Sequence, residues 1–283
     1  MPAAYQPFLE SEPCHLLLAE PPPNPWDLHL RMLGIPVRIT PWFWLGSAVL
    51  GWSFADSWGK ASQGALSVGT ALLIWIGVVL VSIIVHEFGH ALAFRFYGIH
   101  AHVVLYHFGG IAVPDGSLDF SRRMRLGSVQ QIVVSFAGPA ASLVLGFVFT
   151  AIVYFGGYFV PNPLPFIHPL DFLWDGMRAP SVALQALLYA ILFVNIWWAL
   201  MNLLPVYPLD GGQISRAMFT IGNPREGIRY SLILSIAVSA AVAVWALSKQ
   251  DTFLALMFGM LGYSSFQILQ AYMGRGGGFG GGS

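Results

Sequence analysis

The stretch at residues 82–95, "SIIVHEFGHALAFR", places two histidines and a glutamate in an otherwise apolar run. Ionisable groups are costly to bury in a membrane-spanning segment, so they usually mark a functional site. His86 and His90 are four residues apart and share one face of a helix, where both imidazoles can bind one ion. With Glu87 they form the H-E-x-x-H arrangement of two zinc ligands and a general base. The stretch therefore predicts a metal site on a helix.

The composition is typical of an integral membrane protein. The chain has 283 residues, of which 56% are hydrophobic and 9% are charged, whereas a soluble domain carries about 25% charged residues. The net charge is zero, so nothing indicates a nucleic-acid partner. The single cysteine, Cys14, excludes an internal disulfide framework and a cysteine-based zinc site.

Six stretches are apolar enough to cross a bilayer, which takes about 20 residues per helix. We therefore predict an all-α polytopic membrane protein with about six transmembrane helices. A small membrane-associated β-hairpin is predicted between helices 2 and 3, where Gly109 and Gly110 indicate a turn. We interpret His100, His102 and His107 as interfacial residues near it. The six stretches cover residues 40–56, 69–95, 128–160, 180–205, 228–248 and 251–272.

Three segments follow one another along the chain. Residues 1–34 are rich in proline and show no pattern of a cleavable signal peptide, so we expect a cytosolic N-terminal arm. Residues 35–272 form the predicted six-helix domain, with a core at about 69–215. Residues 273–283 are a glycine-rich tail.

The basic residues predict the orientation, because Lys and Arg accumulate on cytoplasmic loops. With both termini in the cytosol, ten basic residues lie inside and three outside. We therefore expect a multi-pass protein, in the cell membrane, with its site near the cytosolic side. The inner residues are Arg31, Arg38, Arg95, Arg122, Arg123, Arg125, Arg216, Arg225, Arg229 and Arg275, and the outer ones are Lys60, Arg178 and Lys249.

A catalytic zinc site needs a third protein ligand and leaves its fourth position for water. Asp210 is the natural candidate, because this orientation brings it to the same depth as the two histidines. It lies in "MNLLPVYPLDGG", where Pro205 and Pro208 should end the fourth helix. Irregular backbone in a membrane is tolerated where it lines a watery cavity. Such a cavity would let water reach the fourth position of the metal.

Two motifs carry a resemblance to a known family. "HEFGH" and "NLLPVYPLDGG" look like the signature motifs of the site-2 proteases, the intramembrane zinc metalloproteases of the peptidase M50 type. The resemblance covers about residues 33–215. It implies one Zn²⁺ bound by His86, His90 and Asp210, with Glu87 as general base. It also implies that Asn202 helps to hold the substrate or the oxyanion.

The resemblance implies a protease that cuts membrane proteins in or near their transmembrane segments, in regulated intramembrane proteolysis. Its expected partners are a transmembrane substrate, the lipid bilayer and a regulatory membrane protein. We expect a compact form, without an inserted PDZ domain or a CBS-type domain after the last span. One departure is Ser142, which stands where many relatives have an asparagine.

Two other functions compete with proteolysis. Intramembrane His and Asp would also suit a zinc transporter, but the chain shows no internal repeat and no second set of polar span residues. A catalytically silent homologue is the other alternative. It is disfavoured because every implied ligand and the general base are present.

Overall fold

The computed structural model describes residues 20–107, 109–114, 126–158, 177, 179–224 and 226–276. Cys14 and most of the predicted arm lie outside these residues, as does the end of the glycine-rich tail. The same holds for five of the arginines used to predict the orientation, namely Arg122, Arg123, Arg125, Arg178 and Arg225.

Seven helices and four strands make up the described part of the chain. The strands are β1 (Leu28–Met32), β2 (Ile35–Ile39), β3 (Ala101–Tyr106) and β4 (Gly109–Pro114). The helices are α1 (Pro41–Ala61), α2 (Val68–Phe96), α3 (Ser128–Phe155), α4 (Val182–Asn202), α5 (Asp210–Gly222), α6 (Gly227–Ser248) and α7 (Thr252–Gly276).

Five of these helices, α2, α3, α4, α6 and α7, are long and apolar enough to cross a membrane. The predicted all-α polytopic fold is thereby confirmed, and the chain is a multi-pass membrane protein. The first predicted span corresponds to α1, which has 21 residues but is not among the five. Its last turns carry the exposed ion pair between Asp56 and Lys60, which lowers the hydropathy of that end.

The predicted hairpin is confirmed as β3 and β4, which pair antiparallel. The turn differs from the prediction, since Gly109 and Gly110 lie in β4 and His107 at the turn has a positive φ of 41°. The hairpin belongs to a larger sheet of order β1-β2-β3-β4, in which β2 and β3 are parallel. Strands β1 and β2 are not among the predicted elements, and β1 lies within residues 1–34, the predicted arm.

The chain divides into two compact units. One unit contains the sheet, α1, α2, all of α4 and α3 from Val133 onward. In this unit α2 contacts α1, α4, β3 and β4. Its core is formed by fully buried strand residues such as Val37, Val103 and Leu105, packed with Phe43 and Ile83. The mixture of sheet and helix residues in one core fixes α2 against β3 and β4.

The other unit contains residues from Leu203 onward. In it α6 contacts both α5 and α7. The Tyr207 backbone N–H donates to Ser235 Oγ at 3.1 Å, and Ser265 Oγ donates to the Tyr207 carbonyl at 3.3 Å. These bonds hold the non-helical segment before α5 against α6 and α7.

Candidate metal centre

His86 and His90 lie on one face of α2, as their spacing predicts. Their rings are edge to face with centroids 5.0 Å apart, and their Nε2 atoms are 3.3 Å from each other. Both residues are buried. The two imidazoles therefore converge on one point.

The Nδ1 atom of each histidine is engaged by α3. His90 Nδ1 donates to the Val134 carbonyl at 2.7 Å, and His86 Nδ1 lies 3.2 Å from Ser142 Oγ. A carbonyl only accepts, so His90 carries its proton on Nδ1 and, as a neutral ring, presents a lone pair at Nε2. If Ser142 accepts in the same way, His86 Nε2 also presents a lone pair. Metal-binding histidines are oriented by such bonds.

The structure fits a metal ion at this point. When both Nε2 atoms present lone pairs, their separation of 3.3 Å is favourable only with a cation beside them. Gly138 of α3 provides space there, because an added Cβ would overlap His90 Nε2 and lie 2.8 Å from His86 Nε2. The absence of a side chain at Gly138 thus leaves room beside both ligand atoms.

A second glycine brings α2 and α3 close together. A Cβ at Gly89 would overlap the Ala137 carbonyl and lie 2.9 Å from Gly138 Cα. Only a glycine at position 89 therefore lets the two backbones approach to this distance. The close approach allows Val134 and Ser142 to reach the histidine rings.

Glu87 is buried, 5% exposed, and faces the hairpin. An added Cβ at Gly110 of β4 would lie 2.6 Å from Glu87 Cγ and 3.0 Å from Glu87 Cδ. Burial, together with the negative charge of Glu87, raises the pKa of Tyr106 on β3. The carboxylate between the two histidines is therefore bordered by both strands of the hairpin.

Asn202 is the last residue of α4 and is half-buried. Its Nδ2 donates to the Trp198 carbonyl at 2.9 Å, one turn earlier in the same helix. The amide is thus engaged by its own helix in this structure. Its role with a substrate stays a prediction.

Asp210 is the first residue of α5 and is buried. The predicted break is confirmed, since α4 ends at Asn202 and α5 begins eight residues later. A Cβ at Gly211 would overlap the Leu203 carbonyl, and one at Gly212 would lie 2.5 Å from Tyr207 N. The two glycines therefore allow α5 to start directly against the preceding turn.

The chemistry of the donor set agrees with zinc. His86 and His90 are buried in one compact unit and Asp210 is buried in the other, and each residue can offer one ligand atom to a metal ion. Two imidazoles and one carboxylate are a usual set of protein ligands for a catalytic zinc ion, which keeps one position open.

Sequence reasoning did not assign the residues that orient and surround the histidines. Ser142 was noted only as a departure from relatives, and Gly110 was interpreted as a turn residue. The signal for Gly138 was present in "GPAAS", because a glycine before a proline inside an apolar span indicates a close approach. Val134 acts through its carbonyl, so its side-chain type carries no signal.

Comparison with known proteins gives a match to a family model and to related sequences. The model of peptidase family M50 matches residues 74–244. Zinc metalloprotease MJ0392 of Methanocaldococcus jannaschii is 24% identical over 241 residues, covering 84% of this chain and 55% of its own length. Protein sll0528 of Synechocystis sp., which carries a provisional zinc-metalloprotease name, is 29% identical over 203 residues, covering 70% of this chain and 45% of its own.

A solved structure is also similar. The site-2 protease from Methanocaldococcus jannaschii matches with a TM-score of 0.48 and 20% identity, covering 86% of this chain and 95% of that one. The chain spans about half the length of the curated relatives named above.

Proposed function

The chain belongs to peptidase family M50, and from that membership we propose that it is an intramembrane zinc metalloprotease. It hydrolyses peptide bonds in or beside the transmembrane segments of membrane-protein substrates. The observation that carries the proposal is the His86–His90 pair. Their Nε2 atoms meet at 3.3 Å beside a glycine, on a helix apolar enough to cross a membrane.

We propose His86, His90 and Asp210 as the residues that hold the ion. When bound there, zinc would supply Lewis acidity, which polarises a peptide carbonyl and makes a water molecule a stronger acid and a better nucleophile. Ser142 and the Val134 carbonyl hold the imidazoles in the orientation that directs Nε2 to the ion.

Glu87 is the proposed general base. It lies between the two histidines on α2 and is buried, so its carboxylate is shielded from competing water. It would accept a proton from the attacking water and pass that proton to the leaving amine. Asn202 would stabilise the developing oxyanion through the second Nδ2 hydrogen, since the other is donated to the Trp198 carbonyl.

The hairpin is the proposed binding element for the unwound substrate. A helical substrate hides its carbonyls in its own hydrogen bonds, so it must become extended before it can be cut. Among the described strands, β4 pairs only with β3 and is an edge of the sheet. A substrate strand added to β4 would run past Gly110, which packs against Glu87. Such pairing would bring a scissile carbonyl to the proposed base.

We propose that α1, with its 21 residues, crosses the membrane in addition to the five apolar helices. Both termini then lie in the cytosol, and cleavage occurs near the cytosolic side. The support is the distribution of basic residues, ten of which lie inside in this orientation and three outside. Products would then be released toward the cytosol.

A reconstituted cleavage assay tests the proposed activity. The purified full chain is mixed in detergent with a set of single-span model substrates, and products are read by mass spectrometry. We expect cleavage that stops on chelation and returns with zinc, and no cleavage by Glu87→Gln with bound zinc. Cleavage that persists after complete zinc removal, or in Glu87→Gln, would contradict the proposal.

A further inference from the structure

A cavity lies at the end of α2, beside the first two strands. Its volume is about 440 Å³, and it is lined by residues of β1, β2, α2 and the segment before β3. Three of the lining residues are basic or can become so, namely Arg31, Arg95 and His100. None of the residues that line the cavity is acidic. The metal centre described above uses none of these three side chains.

The charge in this cavity is not balanced by carboxylates in the described part of the chain. Three other described cations have acidic partners, in the pairs Arg38–Asp27, Lys60–Asp56 and Arg229–Glu226. Arg95 instead donates from Nη1 to the Leu33 carbonyl at 3.3 Å. A guanidinium has five N–H donors, so this single bond leaves most of them for a ligand. The cavity therefore favours an anion.

The position of Arg95 along α2 sets its depth in the bilayer. The helix has 29 residues, a length of about 44 Å at 1.5 Å per residue, whereas the hydrocarbon core is about 30 Å thick. Arg95 is the only basic residue of α2 and lies in its last turn. This end of α2 therefore extends to the level of the lipid headgroups.

The surface beside the cavity is apolar. Leu28, Leu30 and Met32 share the face of β1 opposite to Arg31, and each is at least 40% exposed. Leu33 at the β1–β2 turn is 75% exposed, and Phe96 next to Arg95 is 83% exposed. Exposed apolar side chains next to cationic ones are characteristic of a surface that meets the membrane interface.

We propose that this cavity binds the phosphate of an anionic phospholipid, with an acyl chain lying along the exposed Leu33 and Phe96. Arg31 and Arg95 are the donors, since a guanidinium matches phosphate oxygens in a two-pronged geometry. A zwitterionic lipid would bring a cation into a cavity that has no acidic lining residue. The site therefore discriminates for lipids with net negative charge.

Lipid titration of the purified full chain in detergent tests this site. The midpoint of thermal unfolding is followed as short-chain phosphatidylglycerol, phosphatidylcholine or inorganic phosphate is added. The test variant is Arg31→Gln/Arg95→Gln. The matched control, Arg216→Gln/Arg229→Gln, removes the same charge elsewhere. Arg31→Lys/Arg95→Lys keeps the charge and serves if the glutamine variant does not fold.

We expect phosphatidylglycerol to raise the midpoint of the wild type, while phosphatidylcholine and phosphate at the same concentration have little effect. The glutamine variant should bind phosphatidylglycerol roughly 30-fold more weakly, since two basic residues near an anionic lipid are lost. The lysine variant should bind with intermediate affinity, and the control like the wild type. An unchanged titration in the glutamine variant, an equal loss in the control, or equal stabilisation by phosphatidylcholine or phosphate would overturn the proposal.

Discussion

The hydroxyl of Ser142 on α3 lies 3.2 Å from Nδ1 of His86 on α2. This contact orients one histidine of the candidate metal centre from a neighbouring helix. A carbonyl of the same neighbour, that of Val134, orients the other histidine. The binding geometry of the two rings on α2 therefore depends on how closely α3 packs against them.

Ser142→Ala should weaken zinc binding without preventing folding. The methyl group cannot hold His86 Nδ1, and loss of such an orienting partner typically costs about 10- to 100-fold in metal affinity. The measurement is a competition titration with a zinc chelator. Ser47→Ala is the matched control, since Ser47 Oγ is buried and has no hydrogen-bond partner. Wild-type zinc affinity in Ser142→Ala would exclude this orienting role.

Gly138→Ala should abolish zinc binding by the folded protein. Its methyl group would occupy the space beside His90 Nε2 and His86 Nε2. The zinc content after purification, measured by elemental analysis, checks this result. Gly77→Ala on α2 is the control, because a Cβ there meets nothing within 4 Å and alanine favours a helix. A full zinc complement in Gly138→Ala would show that the ion does not use this space.

Gly110→Ala should reduce the turnover rate while zinc stays bound. The added Cβ would lie 2.6 Å from Glu87 Cγ and 2.8 Å from Leu105 Cδ2, so the base or β4 must move. At the neighbouring Gly109 the nearest atom is 3.6 Å away, and Gly109→Ala should be tolerated. Cleavage rates and zinc contents of the two variants are compared side by side. Equal rates for both would refute the contact between β4 and the proposed base, Glu87.

Asp27→Asn should lower the midpoint of thermal unfolding at neutral pH. Arg38 Nη1 donates to Asp27 Oδ2 at 3.0 Å, and both side chains are buried, so the variant removes the carboxylate charge from a buried ion pair. Asp56→Asn should change little, because the Asp56–Lys60 pair is exposed. No loss of stability in Asp27→Asn would contradict this role for the ion pair.

The same ion pair predicts a pH dependence of stability. Burial alone would raise the pKa of Asp27, but hydrogen bonds from Asn24 N–H and Arg38, with the charge of Arg38, lower it from the usual 3.8. Its contribution to stability is therefore fully present above pH 3.8 and is lost as the pH falls through the lower pKa of the folded state. The difference in unfolding midpoint between wild type and Asp27→Asn should shrink over that acidic range. A difference in unfolding midpoint that stays constant with pH would contradict the lowered pKa of Asp27.

The sequence predicted those features that depend on local pattern. The apolar spans, the shared face of His86 and His90, and the end of α4 before Asp210 follow from hydropathy, helical periodicity and proline. The sheet could be predicted only in part, because β1 and β2 are short and pair with strands that are distant in sequence. Contacts between helices, such as Ser142 with His86, depend on packing that one chain's residue pattern does not specify.

In the proposed function, Glu87 and a zinc ion act together to cut peptide bonds within membrane proteins. The most direct measurement maps new protein N-termini in membranes of cells that produce either the wild type or Glu87→Gln at equal levels. Since the proton transfer by Glu87 should be worth at least about 100-fold in rate, we predict new termini in or beside transmembrane segments with the wild type alone. Identical termini in both samples, with both proteins folded and zinc-loaded, would contradict the claim.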